Sequence, residues 1–435
     1  MHDHDNPYEA SGCAEMPAPG LEPARTARAA GSIGSVGGIG EVAADAAWRG
    51  NEHAPEQSPC PYAAGSIVGT AGSRALRGRG ARSNHGSRHE RLHREVVDDG
   101  WGGLEGLAAE GRATEVSEEQ ARSIITRNNA PDVGFDHSLN PYRGCEHGCI
   151  YCYARPGHAN LGLSPGLDFE SRIIAKVNAP ELFDAFLRKR GWQGAPIAVG
   201  TYTDCYQPAE RRYRLTRRIL EVAERRGQPL MIITKSRLVL RDLDILQRMA
   251  RQRLVRVAIS ITTLDAKLAR LLEPRATTPA RRLDAMGRLA DAGIPVSLML
   301  APVIPALNDH ELERIMLRAR HAGAQDAGMV MLRLPLEIAD LFAEWLQAHF
   351  PDRAQRVLSL LYELHGGQLY DGRYHHRMRG AGPYAWMIWR RFQLMRRKLG
   401  LGEQVAPLNS EAFRRLAQRG EQLVLPGLEH EDRRE

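Results

Sequence analysis

Three of the chain's six cysteines fall within eight positions, in the run Asn140-Pro141-Tyr142-Arg143-Gly144-Cys145-Glu146-His147-Gly148-Cys149-Ile150-Tyr151-Cys152-Tyr153. Three thiolates on one short loop suit a cubic 4Fe–4S cluster, because each can hold one iron and the fourth iron is left without a protein ligand. An open iron accepts a small chelating molecule. A structural zinc site is the first alternative, but zinc usually takes four protein ligands in tetrahedral geometry. The fourth would have to be His147, His158 or Cys205, and none stands at zinc-finger spacing. A disulfide framework fits less well: six cysteines in 435 residues are sparse, and an odd trio on one loop cannot pair internally. Cys13 and Cys60 lie in low-complexity sequence and read as unligated.

Such a loop needs a scaffold, and the apolar patterning supplies one. Apolar runs at Pro196–Gly200, Leu230–Thr234, Val255–Thr262, Val296–Val303 and Gly328–Leu334 predict buried parallel strands. Helical patterns lie between them, at roughly 180–190, 210–226, 238–252, 279–292 and 309–322, with another near 337–349. With a first strand just before Cys145, the count is six strand–helix units. Such alternation predicts a parallel α/β sheet with crossover helices, either partly closed into a barrel or doubly wound. Two or three further helices follow, at about 353–365 and 384–399, then a tail.

Chemistry in β/α barrels collects where strands end and loops begin. Strand two ends in Thr201-Tyr202-Thr203-Asp204-Cys205, strand three in Thr234-Lys235, and strand four carries Ser260; Glu273-Pro274 follows strand four. These residues fit a polar cofactor. Asp204 could accept from an ammonium group, Lys235 could pair with a carboxylate, and Ser260 could bond ribose hydroxyls.

The cysteine run closely resembles the cluster loop of radical SAM enzymes. Beyond the loop, Arg143-Gly144-Cys145 with Cys149, Tyr151-Cys152-Tyr153, Thr203-Asp204, Thr234-Lys235, Ser260-Ile261 and Glu273-Pro274 are similar to the spore photoproduct lyase-like branch, over roughly residues 137 to 310. The likeness to bacterial members of this branch extends to Arg77-Gly78-Arg79-Gly80-Ala81 and Asp98-Asp99-Gly100-Trp101 upstream, and to Arg377-Met378-Arg379-Gly380 and Gly382-Pro383-Tyr384 downstream. The resemblance implies a partial (β/α)6 radical SAM barrel. It implies that Cys145, Cys149 and Cys152 ligate the cluster and that S-adenosylmethionine (SAM) fills the open iron. Tyr151, Thr203, Asp204, Lys235, Ser260 and Glu273 are then the cofactor-binding set. The implied reaction is reductive cleavage of SAM to a 5′-deoxyadenosyl radical that abstracts hydrogen from a substrate. A low-potential donor such as ferredoxin or flavodoxin would supply the electron. The branch points to nucleic acid as substrate; a peptide, a small molecule, or a non-enzymatic metal-binding role are the alternatives. True spore photoproduct lyases carry a hydrogen-donating cysteine three residues before the matching aspartate, and Thr201 stands there in this chain. Cys205, on the other side of Asp204, is either a radical partner or an incidental substitution.

Composition bounds the rest. Residues 1–73 are rich in Ala, Gly, Pro and Ser without apolar periodicity and predict disorder. Residues 74–136 read as a basic arm and lead-in, 137–350 as the barrel, and 351–435 as a helical extension and tail. The arm, most basic over 77–94, is either solvated or phosphate-binding, and the loop at 373–379 with His375 and His376 is either a solvated surface or substrate-facing. Net charge is +7, carried almost wholly by arginine, which permits a nucleic-acid partner without establishing one. There is no apolar stretch of 18 or more residues and no secretory layout at the N-terminus, so a cytoplasmic protein without a membrane span is expected.

Overall fold

The computed structural model describes residues 78–84, 86, 88, 89, 113–403 and 405–413. The expectations for residues 1–73, and for most of the basic arm, lie outside them. Ten strands occur among the described residues: β1 (Glu115–Glu119), β2 (Ile125–Arg127), β3 (His137–Leu139), β4 (Tyr142–Arg143), β5 (Arg172–Lys176), β6 (Ile197–Val199), β7 (Leu230–Thr234), β8 (Val255–Ser260), β9 (Val296–Val303) and β10 (Asp326–Met331). Six of them, β3 and β6 to β10, pair in parallel in the order β10-β9-β8-β7-β6-β3, and β2 adds antiparallel at the β3 edge. The sheet is a partial (β/α)6 barrel. Leu230 is opposite Val255, and Val257 is opposite Val296. Every residue of β6 and β8 is buried, as strands covered on both faces require.

Helices Ala179–Leu187, Leu215–Arg226, Leu243–Arg251, Pro279–Asp291, Leu312–His321 and Ile338–His349 alternate with the parallel strands. Side chains of a strand alternate between faces. In β8, Arg256, Ala258 and Ser260 therefore line the interior cavity, with Met231 and Ile233 of β7 and Met299 and Ala301 of β9. Helices Pro351–Leu364 and Gly382–Lys398 follow the barrel. The chain then passes beneath the strand N-termini, where Gly402 N donates to Gln325 O (2.8 Å), Asn409 N to Arg253 O (2.9 Å) and Arg256 Nη2 to Ala406 O (2.9 Å).

Three local features differ from the sequence pattern. The predicted helix at 210–226 is split into Glu210–Tyr213 and Leu215–Arg226, with Arg214 at φ 52° between them. Glu210 causes the break: its buried carboxylate turns back to accept from Thr216 N at 3.1 Å and capture Arg241 at 2.8 Å. Helix Ala266–Leu272 was not foreseen; Asp265 caps it by accepting from Lys267 N (2.7 Å) and Leu268 N (3.3 Å). Finally, β1, β5 and β4 form a small separate sheet in which the acidic stretch Glu115–Glu119 pairs in parallel with Arg172–Lys176.

Candidate functional site

The cysteine loop begins directly after β4. Cys145 N donates to Phe169 O (2.9 Å), Ile150 N to Leu272 O (3.1 Å) and Cys152 N to Cys149 O (3.2 Å). Gly148 has φ +65°, and a Cβ there would lie 2.3 Å from Glu170 Oε2, so only glycine fits. Arg155, fully buried, holds the loop from below. Its guanidinium donates to Cys149 O (2.9 Å), Gly148 O (3.2 Å), Pro165 O (3.0 Å), Gly166 O (2.7 Å) and Glu170 Oε1 (3.0 Å).

A segment far upstream completes this support. Gly80 N and Ala81 N each donate to the Glu170 carboxylate at 2.8 Å, and Arg79 donates to Glu170 O. Ala81 is buried. The solvated and phosphate-binding readings of the arm therefore both fail for residues 79–81, which are packed against the cysteine loop.

Cys145, Cys149 and Cys152 line one cavity of about 290 Å³, together with Tyr151, Asp204, Lys235 and Ser260. The three thiols are free. Burial pushes the Cys145 thiol well up and the Cys149 thiol to about 12. A metal must therefore displace protons to bind here. Among the described residues, no three His, Cys, Asp or Glu side chains converge on a point where they could share one ion. Three sulfurs on one cavity suit a cluster, in which each thiolate meets a different iron.

Lys235 follows β7, and its Nζ lies 5.8 Å from the centroid of the Tyr151 ring. Burial works against its charge, but the neighbouring Cys149 and Glu273 outweigh burial and the net shift is upward. Ser260 is buried at the end of β8. Asp204 receives four contacts from the protein: Thr234 Oγ1 (2.7 Å) and Tyr206 N (2.9 Å) on one oxygen, Lys235 N (2.7 Å) and His147 Nδ1 (3.3 Å) on the other. Burial would raise its carboxyl, but His147 and the donors from Lys235 and Thr234 hold it down at about 2. A carboxylate has about four lone-pair sites. Asp204 thus braces the cysteine loop against β7, and its acceptor sites are already used.

Thr203 and Glu273 lie outside the cavity lining. Thr203 Oγ1 donates to Tyr142 O (2.9 Å). Glu273 is buried and accepts from Tyr151 OH, Arg282 Nη2 and Thr262 Oγ1 (2.7 Å). Burial would raise its carboxyl; Arg282 and Lys235 hold it at about 2. It therefore orients Tyr151. Cys205 is fully buried and also outside the lining. The turn closed by Gln207 N on Asp204 O carries it behind Gly200, where an added Cβ would come 3.0 Å from Cys205 Sγ. Thr201, at the position of the lyases' cysteine, does line the cavity.

Asp132, Phe135 and Arg333, which the sequence did not single out, also line the cavity, with Tyr153, Tyr202, Met378 and apolar neighbours from β9 and β10. Arg377, in the loop read as solvated or substrate-facing, pairs with the buried Asp132 through Nε (2.7 Å) and Nη2 (2.5 Å). The only available signal was that Arg377-Met378 belonged to the downstream part of the resemblance.

The partial parallel barrel thus gathers three thiols, a lysine and a serine on one cavity. The chain belongs to the radical SAM superfamily, whose sequence model matches residues 139–319. The cofactors of that superfamily are a 4Fe–4S cluster and SAM. An uncharacterised protein of Mycobacterium tuberculosis (strain ATCC 25618 / H37Rv) is 36% identical over 234 residues, covering 53% of this chain and 69% of its own. An uncharacterised protein of Methanocaldococcus jannaschii is 31% identical over 199 residues, 45% of this chain and 71% of its own. Among solved structures, spore photoproduct lyase complexed with dinucleoside spore photoproduct is 16% identical with a TM-score of 0.42, covering 54% of this chain and 66% of that chain. Among the described residues no helix is long and apolar enough to cross a membrane.

Proposed function

We propose that Cys145, Cys149 and Cys152 hold the 4Fe–4S cluster and that SAM occupies the cavity above them. What carries this reading is that the three thiols share one cavity with Lys235 and Ser260. When bound, the cluster and SAM supply reductive C–S cleavage and a 5′-deoxyadenosyl radical that abstracts hydrogen from the substrate. The chain's own residues bind and orient. Lys235 pairs with the SAM carboxylate, Ser260 bonds the ribose, and Tyr151 supports the lysine from below. Asp204 fixes the Lys235 backbone, and Glu273 with Arg282 fixes Tyr151. The apolar walls from Ile233, Met299 and Met331 exclude water. A ferredoxin- or flavodoxin-type donor supplies the electron.

The substrate carries a nucleotide or is a nucleic acid. The lyase-like motif pattern and the +7 charge support this reading. Anaerobic reconstitution with iron, sulfide, SAM and dithionite tests the reaction, with 5′-deoxyadenosine as the product measured. A protein that binds iron and sulfide but forms none would be a metal-binding protein of another kind. Retention of DNA and RNA oligonucleotides at low and moderate salt tests the substrate class, since phosphate binding falls steeply with salt.

A further inference from the structure

The cavity carries more positive charge than SAM can use. Its lining carboxylates are Asp132 and Asp204. Arg377 occupies the first in bidentate fashion, and His147, Thr234, Tyr206 and the Lys235 backbone occupy the second. Of the cavity's lining cations, the Lys235 and Arg333 side chains make no hydrogen bond or ion pair among the described residues, while Arg256 is anchored to Ala406 O at the floor through Nη2 with its Nε buried and unpartnered. Lys235 is the cation assigned to the SAM carboxylate. Arg333 is surplus.

Its placement suits a ligand. Arg333 lies two residues beyond β10, on the rim where the strands end. Its guanidinium carbon is 4.1 Å from the centroid of the Tyr153 ring, and Tyr153 directly follows Cys152. Tyr153 is itself fixed: its hydroxyl donates to Thr201 O, and its ring meets Tyr202 edge-on at 6.1 Å. A guanidinium stacked on an aromatic face keeps its N–H donors free at the edge, in a fork that matches two oxygens of one oxyanion. The half-buried arginine is thus pre-oriented among the residues that line the cavity.

We propose that Arg333 is a substrate-recognition residue that binds an oxyanion, phosphate or carboxylate, of the molecule on which the radical acts. The proposal rests on the assignment of Lys235 to SAM. The cavity's volume of about 290 Å³ lies just below the range of ligand pockets, roughly 300–1,000 Å³. With SAM inside, only a small reacting group can enter, and the rim is where the rest of the substrate must be gripped.

Equilibrium dialysis of the cluster-loaded protein against labelled inorganic phosphate and labelled acetate, each with and without SAM at constant ionic strength, tests this. One oxyanion should bind once per chain. Arg333→Gln should weaken it about tenfold or more, the loss expected for a charge-assisted pair. Arg333→Lys should retain part of the binding, because a point charge replaces the fork. Arg270→Gln, which removes an exposed arginine from helix Ala266–Leu272, should change nothing. Preference for phosphate points to a nucleotide-type substrate, and preference for acetate to a carboxylic acid. Absence of binding by both probes, or equal binding by Arg333→Gln, overturns the proposal. SAM binding to the same samples is read separately: if SAM fails to bind while Arg333 holds an anion, the function proposed above fails and the anion site stands.

Discussion

Replacing Gly80 with alanine should uncouple the upstream segment from the cysteine loop. The backbone at Gly80 is ordinary, so conformation alone would tolerate a side chain, but an ideal Cβ would sit 1.9 Å from Gly148 O and 3.3 Å from Ile150 N. Both are backbone atoms of the cysteine loop and cannot rotate away. Either the loop or the segment must shift by more than an ångström. Such a shift breaks the bonds from Gly80 N and Ala81 N to Glu170, each 2.8 Å. Hydrogen bonds to a charged group contribute about 1.5–3 kcal/mol each. Taking the lower value, because water can rehydrate the opened carboxylate, the two together give a local loss of about 3 kcal/mol. The barrel strands do not depend on this contact, so the loss should appear as local opening rather than global unfolding. Iron and sulfide per chain should fall, and amide exchange across residues 145–155 should accelerate, while far-UV circular dichroism stays unchanged. Gly287→Ala is the control. It lies within helix Pro279–Asp291 with nothing within 4 Å of its Cβ position and should stabilise by about 0.5–1 kcal/mol. Full iron content and unchanged exchange in Gly80→Ala would refute the argument.

Alanine at Cys145, Cys149 or Cys152 should remove the visible absorption of the reconstituted protein; the triple variant should retain neither iron nor sulfide. Lys235→Ala should weaken SAM binding about tenfold to a hundredfold, the range for one charge-assisted contact, with cluster content unchanged. Lys176 gives a pH effect of definite sign. Burial, aided by Arg143, lowers its ammonium from 10.5 to about 8. Between those values the unfolded chain holds the proton and the folded chain has released it, so this residue's contribution to stability rises with pH from about 8 to 10.5. Urea midpoints measured across that window should rise less steeply in Lys176→Met than in the parent.

What could be read from the sequence was local. The cysteine run spans fourteen residues, and Leu230–Thr234 or Val255–Ser260 is recognisable as a strand from its own apolar content. The barrel follows because alternation of such strands with helices leaves few alternatives. The missed features depend on distance. Glu170 meets Arg155 across 15 positions and Gly80 across 90, and Asp132 meets Arg377 across 245. No periodicity joins such pairs. Strand β1 escaped notice because three of its five residues are exposed and three are acidic, so it has no alternating apolar face to recognise. The break at Arg214 was hidden by continuous helical periodicity on both sides; it arises from what Glu210 bonds. For Cys205 the sequence leaves two readings open, radical partner or incidental substitution; one tight turn carries it out of the cavity lining, which favours the second.

Two buried carboxylates, Glu170 and Glu273, and the partly buried Asp204 bracket the cysteine loop, each anchored on a different element. Glu170, in helix Leu167–Ser171, ties Arg155 and residues 80–81. Asp204, after β6, ties His147 to the end of β7. Glu273, at the end of helix Ala266–Leu272, ties Tyr151 to Arg282. Buried ion pairs are poor sources of net stability, because desolvation offsets most of their attraction. Their geometric demand is another matter: removing one partner leaves an uncompensated buried charge, at a cost of about 3–5 kcal/mol. A loop held by three such ties has little freedom to relax when its thiols lose their protons to metal. The cation balance fits this use. Burial pushes up the Cys149 thiol, Lys235 and Arg282 draw it down, and Arg155 holds the Cys149 backbone. On the cluster assignment proposed above, the ties would present the three sulfurs in a fixed arrangement before iron binds, so that binding energy is not spent on ordering the loop.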